Sequence, residues 1–122
     1  MSEPVGCEWR FYIDDMIAFA EKVLAYTNGL DKRAFVTSGL VYDGTLRNLE
    51  LIGEAASHVP HDVRATYTQV PWRAVVATRN RLIHGYLGID DDILWSIVVS
   101  DIPALLPMLR AVKDAAVAAP RV

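Results

Sequence analysis

Apolar residues in this chain recur at intervals of three and four and nowhere alternate with period two for long, so one class of architecture is open to it: helices packed on helices. From the N-terminal side the series Trp9, Tyr12, Ile13, Met16, Ile17, Ala20, Val23 and Leu24 follows i, i+3, i+4, i+7, the mark of one buried face on an amphipathic helix. That helix is expected to end at "TNGL", where Gly29 can adopt the left-handed cap conformation. Asp31 is placed to N-cap a second helix carried by Phe35, Tyr42, Leu46, Leu49, Ile52, Ala56 and Val59, with Pro60 as its stop. Gly39, Gly44 and Gly53 interrupt that stretch, so a bend or a close approach to another helix is expected there.

A short helical piece is expected in "HDVRATY". Pro71 then opens a third helix with Trp72, Val75, Val76, Leu82 and Ile83 as its stripe, ended by Gly85 and Gly88. The fourth starts at Asp90 to Asp92, where three acids suit the positive end of the helix dipole. It continues through Leu94, Ile97, Val98, Ile102, Leu105, Leu109 and Val112, and Pro103 and Pro107 are expected to kink or divide it. The expected fold is therefore all-α: one domain over residues 1–122, an up-and-down bundle of four main helices plus a short one. Trp9, Trp72 and Trp95 fall in register with the apolar faces and read as core or subunit interface.

Composition narrows the function classes. With 52% hydrophobic and 22% charged residues in 122, the chain is not of the disordered type. No uninterrupted apolar run approaches the roughly 18 residues of a membrane span. "MSEPVGCEWR" lacks the features of a signal peptide, and the lone Cys7 has no internal disulfide partner, which together point to a cytoplasmic setting. The net charge of −3 gives no global attraction for a polyanion, so nucleic-acid binding would need a local cluster of the 12 basic residues.

Such a cluster stands at residues 79–86, "RNRLIHGY". Arg79, always cationic and able to grip two phosphate oxygens, suits stabilisation of a charged phosphorane. His84, titrating near neutrality, suits proton transfer to and from the sugar oxygens of RNA. RNA carries its own nucleophile, the 2'-hydroxyl, so this chemistry asks for no metal and no cofactor. On one straight helix, however, five residues turn about 500°, and Arg79 and His84 point roughly 140° apart. Either the helix ends near His84 and folds the ring back, or two copies of the segment meet and each supplies part of the site. Asn80, four residues from His84, would share its helical face and orient it or hold a phosphate, and Arg81 would bind RNA nearby.

The spacing R-x-x-x-x-H-x-Y, with "NLELIGEAA" before it and "VPWRAVVATRNRLIHGYLGIDDDILWSIVVSDIPALL" around it, resembles the HepT-like branch of the HEPN superfamily from about Asn48 to Leu106. That resemblance implies a homodimeric helical bundle with metal-independent endoribonuclease activity, the toxin of a two-component system whose antitoxin is an MNT-type nucleotidyltransferase. It further implies that Tyr86 is the residue to which the partner transfers AMP, and it marks Glu54 as an orienting acid, although Glu54 and His58, four residues apart on a helix, also read as an ordinary surface pair. A rival reading is a non-catalytic HEPN-type module that binds a nucleotide or docks a nucleotidyltransferase. A metal site built from Glu54, His58 and His61 is disfavoured, because Pro60 breaks the helix between the histidines and no fourth ligand is evident. Arg33, Arg47 and Arg73 read as solvated.

Overall fold

A computed structural model describes residues 8–83 and 88–118. His84 and Tyr86, and Gly85 as a helix stop, lie outside the described residues. The fold is all-α, as the periodicity requires: α1 (Trp9–Thr27), α2 (Lys32–Thr37), α3 (Gly39–Ser57), α4 (His61–Thr66), α5 (Trp72–Val76), α6 (Thr78–Leu82), α7 (Asp91–Ser96), a π-helical turn (Ile97–Asp101) and α8 (Ile102–Ala118). Helix α1 lies between α3 and α8 and packs along both. Its stripe Ile13, Met16, Ala20 and Val23 meets the stripe of α8, including Leu105, Leu109 and Val112, in one apolar core. Across the outer edge of that seam Arg110 pairs with Glu21 at 2.8 Å and Lys113 with Asp14 at 3.0 Å.

Local chemistry sets the boundaries. Gly29 ends the α1 segment at φ +79°, a conformation that favours glycine. The Asp31 carboxylate accepts from the Ala34 N–H at 2.8 Å and caps α2. The single long second helix expected from the sequence is broken at Ser38, whose φ −91° and ψ 92° are extended, with Gly39 opening α3 beyond it. Arg64 closes the other end of α3 by donating to the carbonyls of Val59 (3.0 Å) and Ala56 (2.9 Å), where a cation also faces the negative end of the helix.

The third expected helix is two short ones, α5 and α6, meeting at Ala77. The hydroxyl of Thr78 donates to the carbonyls of Val75 (2.8 Å) and Ala74 (3.3 Å), a side-chain bond that competes with regular helix continuation. Gly53 of α3 sits against the same turn. A Cβ there would lie 3.2 Å from the Val75 carbonyl oxygen and 3.6 Å from that of Val76, both backbone atoms. At an open helical site, glycine to a larger helix former stabilises by about 1 kcal/mol. Here Gly53→Leu is expected to destabilise by about 1–3 kcal/mol through overpacking. Chemical denaturation reads the sign, and a stabilised variant would contradict this contact.

Neither proline divides the last helix. The Ile102 N–H reaches back five residues to the Ile97 carbonyl, the wide π turn that precedes Pro103, and Pro107 lies inside α8. A π turn absorbs the donor that Pro103 lacks without ending the rod. The 26 residues Asp91–Ala116 form a helix long and apolar enough to cross a membrane by length and composition, with a mean hydropathy of 1.6 over its most apolar 18 residues. Its apolar stripe is the one packed into the core against α1.

Candidate active site

One face of α3 presents Arg47, Glu50, Glu54 and Ser57, spaced i, i+3, i+7 and i+10, a row along a helix. Opposite stand Val76 and Arg79 from the α5–α6 segment. Between them lies a cleft of about 400 Å³. Arg79 and Glu54, picked out separately in the sequence, thus line the same cavity. Among the described residues the Arg79 guanidinium has no hydrogen bond or ion pair, and the side chain is exposed. Arg47 and Glu50 approach only to 3.9 Å. The cleft therefore offers guanidinium donors that are not consumed internally, the state that an incoming phosphate requires.

Arg81 is not part of this cleft. It projects to the other side of α6 and donates from Nη2 to Asp101 at 3.0 Å. Asn80 is exposed. Helix α6 ends at Leu82 and Ile83 is already extended (φ −81°, ψ 125°), so the helical i, i+4 relation between Asn80 and His84 does not extend along α6. Of the two ways considered for Arg79 and His84 to meet, the helix does end just ahead of His84. Ile83 forms an antiparallel bridge with Ile89, and the Asp90 N–H donates to the Leu82 carbonyl at 2.9 Å. These contacts tie together the two ends of the segment that carries His84 and Tyr86.

The three acids that follow do more than suit a helix dipole. Asp90 caps α7 by accepting from the N–H groups of Asp92 (3.0 Å) and Ile93 (3.1 Å). Asp91 accepts the hydroxyl of Tyr42, and Asp92 pairs with Lys32, whose ammonium is held above its ordinary pKa chiefly by that hydrogen bond. Burial raises the Tyr42 phenol above its ordinary pKa, with the Asp91 bond and the negative charges of Asp91 and Asp43 adding to it. Tyr42, on α3, thereby anchors the chain where it leaves the motif. The sequence reading missed this anchor, whose signal is three consecutive acids opposite a core-facing tyrosine.

A phenol pKa raised by folding contributes stability that is complete below the unfolded value of about 10 and is lost as pH rises through the higher folded value. Tyr42→Phe is therefore expected to cost about 1 kcal/mol near neutrality. Above pH 10 the gap between the two proteins should close. Denaturant titrations at several pH values check this, and a constant gap would contradict the anchor.

Among the described residues no group of three or more His, Cys, Asp or Glu side chains could hold a metal ion. Glu54 lines the cleft, whereas the His58 ring stacks on Tyr12 at 5.0 Å and 20°.

The fold and the cleft define an all-α protein in which Arg79, without a partner among the described residues, shares a polar cavity with Glu54. Family comparison makes it specific: residues 16–112 match the family described as "Ribonuclease HepT-like". The chain belongs to the HepT-like ribonuclease family. It is 36% identical over 96 residues to a Methanocaldococcus jannaschii protein named "Putative RNase MJ1380", covering 79% of this chain and 88% of that protein. A Thermococcus cleftensis protein named "Probable ribonuclease HepT" is 33% identical over 94 residues, 77% of this chain and 86% of the relative. No solved structure matches.

Proposed function

We propose that this chain is a toxin endoribonuclease that cleaves RNA without a metal, as a homodimer, using Arg79 and His84. The observation that carries the reading is Arg79: a guanidinium with no partner among the described residues, in a cleft with Glu54, five positions ahead of His84. In the reaction the 2'-oxygen attacks the adjacent phosphorus as His84 takes its proton. The P–O5' bond breaks, and an imidazolium returns a proton to the leaving 5'-oxygen, giving a 2',3'-cyclic phosphate and a 5'-hydroxyl. In a homodimer two copies of His84 divide the base and acid roles. Arg79 binds the non-bridging oxygens, where charge grows toward the phosphorane. Glu54, exposed on α3, orients Arg79 or a histidine; Asn80 and Arg81 contact RNA beside the site. A second copy doubles the local positive charge, which lets a chain of net charge −3 hold a polyanion.

Regulation in this reading falls on Tyr86. An MNT-type nucleotidyltransferase antitoxin transfers AMP from ATP to its phenol oxygen, the phenol proton being lost and pyrophosphate leaving as the α–β phosphoanhydride bond breaks, and the added phosphodiester places negative charge and bulk where an RNA phosphate must bind. Expression in a bacterial host is expected to arrest growth. His84→Ala should relieve that arrest, and co-expression with the nucleotidyltransferase should relieve it with an adenylyl adduct on Tyr86 in the intact mass. Arrest that persists at full strength in His84→Ala would favour a non-catalytic interaction module.

A further inference from the structure

The turn at Ala77 gives the motif segment two sides. Arg79 faces the polar cleft on α3, while Thr78 and Arg81 face a second, mainly apolar slot of about 310 Å³. Its walls include Ile52, Val75, Leu105 and Met108, and its mouth carries Arg81, Ser100 and Asp101. The mouth is built by the π turn, whose last residues are Ser100 and Asp101. Such wide turns occur often at functional sites, where they re-aim side chains.

The polar groups at this mouth keep hydrogen-bonding capacity that a ligand could use. Arg81 uses one nitrogen and Asp101 one oxygen in their 3.0 Å bond, and both side chains remain about two-fifths exposed (39% and 41%). A guanidinium has five N–H donors and a carboxylate two accepting oxygens, so each retains capacity side by side. An apolar slot with an adjacent donor and acceptor at its rim matches a nucleobase, which buries its faces and satisfies its edge. Among the bases, guanine presents an acceptor, O6, beside two donors, N1–H and N2–H. Asp101 can accept from both donors while Arg81 donates to O6, whereas adenine (N6–H beside N1) and uracil (N3–H beside O4) each offer the carboxylate a single donating group beside one acceptor.

We infer that this slot is a guanine-binding subsite for the RNA substrate, with Arg81 and Asp101 as the specificity-determining pair. The inference rests on the proposed ribonuclease activity and extends it to sequence choice. Leu49 lines both cavities, so a single short segment, α5–α6, separates the slot from the Arg79 cleft. That width, about 10 Å for a helix with its side chains, is spanned by about three nucleotides at roughly 3.4 Å of rise each. Guanine is thus expected within a few nucleotides of the scissile phosphate.

The test is cleavage-site mapping on short single-stranded RNAs that differ in one base at each position around the cut. The parent should prefer guanine at one fixed position by roughly 10- to 100-fold, and Asp101→Asn should reduce that ratio to below about 3-fold. Thermal melts of both proteins control for folding. If Asp101→Asn does not fold, Arg81→Lys, which keeps the charge but loses the planar fork, should weaken the same preference. Cleavage by the parent with equal rates for all bases would overturn the subsite and leave the nuclease standing. If the parent cuts no RNA, the nuclease reading fails, and NMR titration with guanosine 5'-monophosphate against adenosine 5'-monophosphate decides the slot. Guanine-selective shifts at Thr78, Ser100 and Leu105 support it; no shifts, or equal shifts, overturn it.

Discussion

Arg79→Ala is expected to lower the turnover rate of RNA cleavage by about 10²- to 10³-fold, the usual cost of removing one preorganised donor from a charged transition state, while the protein stays folded. The structural reason for both halves is the same. Arg79 is exposed, and among the described residues its guanidinium bonds to nothing, so its removal costs no internal contact. Arg79→Lys should recover only part of the activity, because a point charge cannot grip two phosphate oxygens in the plane that a guanidinium does. The proposed homodimer adds a further arm to this measurement. If each copy supplies part of a shared site, mixing Arg79→Ala with His84→Ala subunits should restore activity above that of either variant alone. A kcat within threefold of the parent for Arg79→Ala would remove this residue from the chemistry.

The largest effect on stability is expected at Phe35. This ring is fully buried at the junction of α2, α3 and α7, at 5.5 Å from Tyr42 and 5.3 Å from Trp95 between ring centres. Phe35→Ala removes the transferred apolar surface and leaves a cavity, together about 3–5 kcal/mol. A domain of this size has about 5–15 kcal/mol in total, so the melting temperature should fall by roughly 10–20 °C. Tyr42, freed on one side, would also hold Asp91 less firmly, and activity should fall before the protein unfolds. Scanning calorimetry and cleavage rates on the same samples check both statements. A melting shift under about 4 °C would mean that Phe35 is not the centre of this junction.

Much of this architecture is legible in the sequence because burial follows period. The stripe from Trp9 to Val23 and the one from Leu94 to Val112 are buried as the i, i+3, i+4 pattern requires, and Gly29 and Asp31 act as the stop and start that their chemistry implies. The interruptions were harder to read. Ser38, Ala77 and the π turn at Ile97–Asp101 depend on competition between side-chain hydrogen bonds, a close approach at Gly53 and a missing proline donor, which local propensity does not rank.

The site was legible as residue types rather than as an arrangement. Arg79 and Glu54 share a cleft although 25 positions separate them, a relation that exists only once α3 packs against α5 and α6. Arg81, two residues from Arg79, belongs to another cavity because the segment is helical and the two side chains diverge. Arg47, read as a solvated residue, stands in the cleft two helical turns before Glu54. His84 and Tyr86 lie outside the described residues; the role proposed for His84 rests on the motif and the chemistry of the reaction, and that for Tyr86 on the family resemblance.

The most direct measurement is incubation of the purified, unmodified protein and its His84→Ala variant with mixed RNA in EDTA, followed by analysis of the fragment ends. Cleavage by the parent alone, leaving 2',3'-cyclic phosphate and 5'-hydroxyl ends, with the variant slower by at least about 10²-fold, is the expected result. Loss of the parent's activity in EDTA, fragments with 3'-hydroxyl ends, or equal cleavage by the two proteins would contradict a metal-independent ribonuclease acting through His84.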